Sequence, residues 1–166
     1  PDVKPIWLFR EQLVQAKMVK RLFKKFDRYL REQGFTARKG QIVDASIVSM
    51  PIQRNSREEN KQIREGTIPE DWSEAKKRQK DTHARWSARS HKHAYGYKNH
   101  ISIDAGHKLI RDYAVTDAAV HDSQVFGVLL DETNSSRDVW ADSGYQSEDN
   151  RNELEQRGYR AHLQRT

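Results

Sequence analysis

Two aspartates placed in short apolar runs carry the clearest chemistry in this chain. Asp44 lies inside Gln41-Ile42-Val43-Asp44-Ala45-Ser46-Ile47-Val48, and Asp142 closes Asp138-Val139-Trp140-Ala141-Asp142. The first run reads as a buried strand, where a lone carboxylate is costly unless it is paired or holds a cation. Neighbouring strands lie about 4.8 Å apart, so carboxylates on two of them can share a divalent ion. Hard cations such as magnesium take carboxylate oxygens, and two of them about 4 Å apart activate an attacking oxygen and neutralise a leaving one. In a chain of net charge +6, this points to metal-assisted phosphoryl transfer on a polyphosphodiester. Asp142-Ser143-Gly144 has a second reading, as a turn that introduces a helix.

The remaining acids have plainer explanations. Asp104 precedes Ala105-Gly106 and reads as a hairpin-turn residue, and Asp117 ends a strand. Glu148, Asp149, Glu153 and Glu155 fall on a polar helix beside Arg151 and Arg157. His121-Asp122 either supports the site through a hydrogen bond or caps the segment that follows. His91, His93 and His100 lack a ligand spacing, and with no cysteine in the chain disulfides and thiolate zinc sites are excluded.

The elements that must position the two acids are legible in outline. Apolar positions from Ile6 to Leu30 recur at helical steps, with a break near Gln15-Ala16-Lys17 and Gly34 as a stop signal. This is an N-terminal helical segment over residues 1–40. The first strand spans 41–48 and ends before Pro51. Residues 52–94 hold 11 basic and 7 acidic side chains with little apolar periodicity, and read as a mobile basic insertion with a short helix between Pro69 and Lys80. Tyr97 to Asp104 and Leu109 to Thr116 form a hairpin around Ala105-Gly106-His107. A helix over Ser123 to Glu132, a strand over Arg137 to Ala141, a helix over Ser147 to Gln156 and a strand over Tyr159 to Leu163 complete an α/β order, a mixed sheet flanked by helices.

Charge is distributed unevenly along this order. Residues 1–100 carry 23 Lys and Arg against 12 Asp and Glu, while residues 101–166 carry 7 against 12. A basic front half suits phosphate contacts, and an acidic back half attracts cations. Within the insertion, Arg85, Arg89, His91 and Lys92 interleave with Trp72 and Trp86, a combination that can stack bases and hold phosphates. The same tryptophans can instead tack the insertion onto the core. Arg85, Arg89, Lys92 and Lys98 are the candidate DNA contacts. A mean hydropathy of −1.02 and the lack of any run of about 18 apolar residues give no membrane span or signal peptide.

Four segments in this order resemble the catalytic domain of bacterial insertion-sequence transposases of the Asp-Asp-Glu type, in particular the insertion sequence five group. They are Ile42-Val43-Asp44-Ala45-Ser46, Tyr95-Gly96-Tyr97-Lys98-Asn99-His100, Ala119-Val120-His121-Asp122-Ser123 and Ala141-Asp142-Ser143-Gly144-Tyr145. The resemblance covers most of the chain and implies a ribonuclease H-like catalytic domain over residues 41–166. It implies magnesium or manganese as cofactor, with Asp44 and Asp142 as the first two catalytic, metal-holding acids. Strand cleavage followed by strand transfer at the element's ends is the implied activity. Double-stranded DNA, at transposon ends and target, is the implied partner, with a homodimer on paired ends and a cytoplasmic, nucleoid-associated location. The family's third carboxylate, a Glu on a helix with Tyr, Arg and Lys, is expected beyond Thr166, so the 166 residues read as a fragment inactive or nearly so by itself. Two other roles stay open: a non-catalytic DNA-binding remnant, and a repurposed structural domain.

Overall fold

The computed structural model describes residues 2–87 and 94–164. Two helices, α1 (Val3–Gln15) and α2 (Met18–Glu32), lead into strand β1 (Gln41–Ser49). Lys17 adopts φ +52° between them, the left-handed residue that turns the chain at the expected break. Helices α3 (Arg57–Arg64) and α4 (Glu74–Gln79) and the two-residue strand β2 (Arg85–Trp86) follow. The hairpin is β3 (Tyr95–Asp104) and β4 (Ile110–Asp117), and β5 (Asp138–Ala141), α5 (Glu148–Gln156) and β6 (Arg160–Leu163) end the fold.

In the sheet, β3 pairs antiparallel with β1, and on its other edge with both β2 and β4. β1 pairs parallel with β5, and β5 parallel with β6. An antiparallel hairpin on one side of a central strand and two parallel strands on the other is the ribonuclease H-like arrangement. The apolar core lies against one face, where Val43, Val139 and Ala141 meet Val125, Phe126, Leu129, Tyr145, Leu154 and Tyr159. The cover over Phe126 differs from expectation. Residues 123–132 form two short 3₁₀ turns, Asp122–Val125 and Gly127–Leu129, rather than one helix. A Cβ on Gly127 would lie 2.5 Å from a carboxylate oxygen of Glu153, the movable end of a flexible side chain.

β3 is polarised against intuition. Its buried residues are Gly96, Lys98, His100, Ser102 and Asp104, while Tyr97, Asn99, Ile101 and Ile103 are half-buried on the other face. A buried polar strand face is tolerable only if every group finds a partner. Lys98 Nζ lies 2.9 Å from Asp122 Oδ1 and donates to the Val120 carbonyl, and the Ser102 hydroxyl donates to Gln41 Oε1. Asp104 accepts from the backbone N–H groups of His107 and Leu109, so it is a hairpin-turn residue as read. It also meets Arg111, whose guanidinium reaches Asp27 of α2 and the Phe35 carbonyl. That network ties α2 to the sheet, helped by the Phe23–Tyr113 ring contact at 5.0 Å.

The insertion is locally built. Ser56 and Glu59 form a reciprocal capping box on α3, and Trp72, 3% exposed, donates its indole N–H to Glu59. Lys76 lies over the Trp72 ring and also bonds Glu59. Trp72 therefore organises the insertion, whereas Trp86 stays 46% exposed.

Candidate active site

Register sets the geometry. Gln41, Ile42 and Val43 stand opposite Val139, Trp140 and Ala141 in the parallel β1–β5 pair. Val43 and Ala141 are the last pair of that register, and Asp44 and Asp142 are the next residue on each chain segment. Val43 and Ala141 turn inward to the apolar core, so strand alternation turns Asp44 to the opposite face. Asp142 stands just past the carboxyl end of β5, where open α/β sheets bind ligands.

One premise drawn from sequence is corrected. Asp44 is exposed, not buried, because strand alternation gives the core to Val43 and the open face to Asp44. No desolvation penalty demands a counter-ion there, and the case for Asp44 rests on its position. Its Oδ1 accepts from the Ala45 backbone N–H at 2.7 Å.

Asp142 is half-buried and caps the 3₁₀ turn Ser143–Tyr145, accepting from the Gly144 backbone N–H at 2.9 Å. The turn reading and the site reading thus coincide in one residue. What holds the turn is Tyr145, fully buried against Phe126 with rings 5.4 Å apart. Its carbonyl accepts from Asn150 Nδ2 at 2.8 Å, and its hydroxyl lies 3.4 Å from His100 Nδ1. Burial pushes the His100 imidazole below its ordinary pKa, with the Lys98 charge acting the same way and Asp122 opposing. His100 is accordingly neutral at pH 7, and its other nitrogen lies 3.0 Å from the Thr116 hydroxyl.

The other sequence candidates are dispersed. His121 is exposed and caps the turn at Asp122–Val125, with Nδ1 2.8 Å from the Ser123 hydroxyl. Asp122 is buried at Lys98 on the core face. Lys98 itself is 7% exposed, an internal cation rather than a surface one. Arg85 is half-buried, its guanidinium donating to the Thr82, Ala84 and Ile63 carbonyls. Arg89 and Lys92, with His91 and His93, lie outside the described residues. Glu148, Asp149 and Glu155 are exposed on α5, and Glu153 pairs with Arg157.

Carboxylate oxygens suit a hard divalent cation. Among the described residues no cluster of three or more metal-ligating side chains occurs. Sequence reasoning missed a cavity of about 420 Å³ between the insertion and the start of β3, lined by Gln53, Trp86 and Tyr95 among others. The Ser56-x-x-Glu59 capping-box spacing was the available signal that this stretch is structured.

The family model described as Transposase DDE domain matches residues 35–164. No solved structure matches the chain. Among the described residues, no helix is long and apolar enough to cross a membrane.

Proposed function

The chain belongs to the transposase DDE-domain family, and from that premise we propose that Asp44 and Asp142 are its first two catalytic acids, acting in metal-dependent cleavage and transfer of DNA strands. What supports this reading is the β1–β5 register, whose last pair, Val43 and Ala141, immediately precedes the two acids. The four ordered motifs, two of which hold these aspartates, favour the insertion sequence five group within the family.

In this reading Asp44 and Asp142 hold magnesium or manganese through carboxylate oxygens. Such ions, when held, would supply Lewis acidity at the phosphate and help ionise the attacking water or 3′ hydroxyl. The protein's own contribution is placement. The backbone N–H groups of Ala45 and Gly144 each fix one oxygen of an aspartate. Tyr145, Asn150 and His100 keep the Asp142 turn in one conformation, and cations of the front half orient the phosphates without reading sequence.

Metal affinity is the direct test of this reading. Calorimetric titration with Mn²⁺ should show binding that weakens about tenfold or more in Asp44→Asn and in Asp142→Asn, on the order of the loss of one charged ligand. Equal affinity in either variant removes that residue from the site. Salt-dependent duplex binding without metal-dependent loss in these variants would instead favour a DNA-binding role without chemistry.

A further inference from the structure

We propose that the outward face of α2 is a docking surface for an acidic amphipathic helix from another protein. Val19, Leu22, Phe26 and Tyr29 follow one another at three- and four-residue steps, the spacing with which a helix presents a seam to a second helix. All four are between 43% and 58% exposed. Side chains of this size, each about half exposed, make a contiguous apolar strip of roughly a few hundred Å², the scale that marks an interaction site on a protein surface. α1, which contacts α2, adds to the apolar surface of the helical pair: none of its residues is buried, and Ile6, Trp7 and Phe9 stand open to solvent.

The sheet does not cover this strip. α2 is held to it by another side, where Asp27 meets Arg111, Phe23 packs on Tyr113, and Lys20 and Lys24 reach Asp112. At 3.6 residues per turn, Val19, Leu22, Phe26 and Tyr29 turn away from Lys20, Lys24 and Asp27. The anchorage therefore fixes the strip in an outward orientation.

Charge selects the partner. Arg21, Lys25 and Arg28 run beside the strip at four- and three-residue steps, and among the described residues none of them has an ion pair, Arg21 donating to the Met18 sulfur. α2 as a whole carries six basic residues against two acidic ones. Like charges one turn apart repel, so carboxylates on an incoming helix relieve a repulsion that the free surface bears. A second copy fits poorly, because it would bring the same basic row and a net charge of +6 to the contact. Duplex DNA would neutralise the row but leave the apolar strip in water. A helix with large apolar residues along one seam and Asp or Glu beside it meets both demands.

The test uses the 166-residue chain and three labelled peptides of three heptads each: one with a leucine seam flanked by Glu, its counterpart flanked by Lys, and the Glu peptide with its sequence scrambled. Fluorescence anisotropy should show the Glu helix bound about tenfold or more tightly than either of the others. The double variant Leu22→Ser, Phe26→Ser should lose that binding about tenfold, and Lys25→Glu with Arg28→Glu should turn the preference toward the Lys peptide. Both variants should keep the wild-type thermal midpoint, because all four side chains are exposed. The charge variant leaves the apolar strip intact, so its reversed preference decides the matter even where the serine variant unfolds. Failure to bind the Glu peptide, equal binding of all three peptides, or a charge variant that keeps the original preference overturns the proposal. Self-association in sedimentation velocity that the serine variant abolishes gives the strip to a second copy and overturns it too, as does a DNA duplex whose binding weakens equally in both variants. No metal and no strand cleavage enter these measurements, so their failure leaves the reading of Asp44 and Asp142 standing.

Discussion

The face of the sheet that carries Lys98, His100, Ser102 and Asp104 is sealed beneath the 3₁₀ turns and α5, whereas the opposite face leaves Ile101, Ile103, Val115 and Trp140 partly exposed around Asp44. Polar groups are inside and apolar ones outside, the reverse of a simple amphipathic strand. The sealed face can be polar because its groups are matched in pairs, and matched pairs fix register. The open face is free of such obligations, as the proposed site requires. Tyr145 and Asn150 fix from behind the turn that Asp142 caps.

The largest effect expected on the open face is chemical. In a nicking-competent protein that carries this domain, Asp44→Asn should lower magnesium-dependent nicking of supercoiled DNA about a thousandfold, the scale of several kcal/mol of lost metal assistance. Thermal unfolding should barely move, because Asp44 is exposed. Nicking at the wild-type rate would remove Asp44 from the chemistry.

The sealed face should show the opposite profile. Phe126 is 0% exposed, and Phe126→Ala should cost about 4 kcal/mol of stability in denaturant titration. Ile101→Ala, half-buried on the open side, should cost about 1 kcal/mol by its smaller loss of buried area. Equal costs would mean that the two faces are packed alike.

Arg111 tests whether the polar pairs are as necessary as the apolar ones. Arg111→Met leaves Asp104, 0% exposed, without its guanidinium and should destabilise by about 3 kcal/mol. A pH titration sharpens the point. Burial raises the Asp104 pKa, but the His107 N–H, the Arg111 charge and the Leu109 N–H outweigh it and hold the carboxyl below its ordinary value. The folded state thus favours the ionised form, so stability is present above about pH 4 and is lost as the pH falls through the lowered value. His100, also lowered, adds a loss as the pH falls below about 6.5. In Arg111→Met the Asp104 value rises, so the acid slope below pH 4 should flatten.

The same contrast explains what could be read in advance. Strand positions and the break at Lys17 were legible because local patterning carries them. The burial of Asp44 was misread because an apolar run does not say which of its alternating residues face the core. The 3₁₀ turns of residues 122–129 were read as a helix because Val125, Leu129 and their neighbours fit a helical spacing. Lys98 looked like a surface cation because nothing local marks Asp122, 24 residues on, as its partner. Pairings across the sheet are the long-range information that a single sequence leaves unstated.

Two lysines give the finest form of the comparison. Lys24 and Lys98 each stand within 3 Å of a carboxylate, at 2.8 Å from Asp112 and 2.9 Å from Asp122. Only their surroundings differ, since the Lys24 side chain is 46% exposed and that of Lys98 is 9%. Lys98→Met should cost about 3 kcal/mol, because it strips the cation from a carboxylate that is 5% exposed. It should do so with little dependence on salt. Lys24→Met should cost at most about 0.5 kcal/mol, and that small difference should vanish in 1 M salt as screening removes the attraction. If Lys98→Met were instead as mild as Lys24→Met while weakening duplex binding, Lys98 would be a DNA contact after all. The sealed face would then have to open when DNA binds.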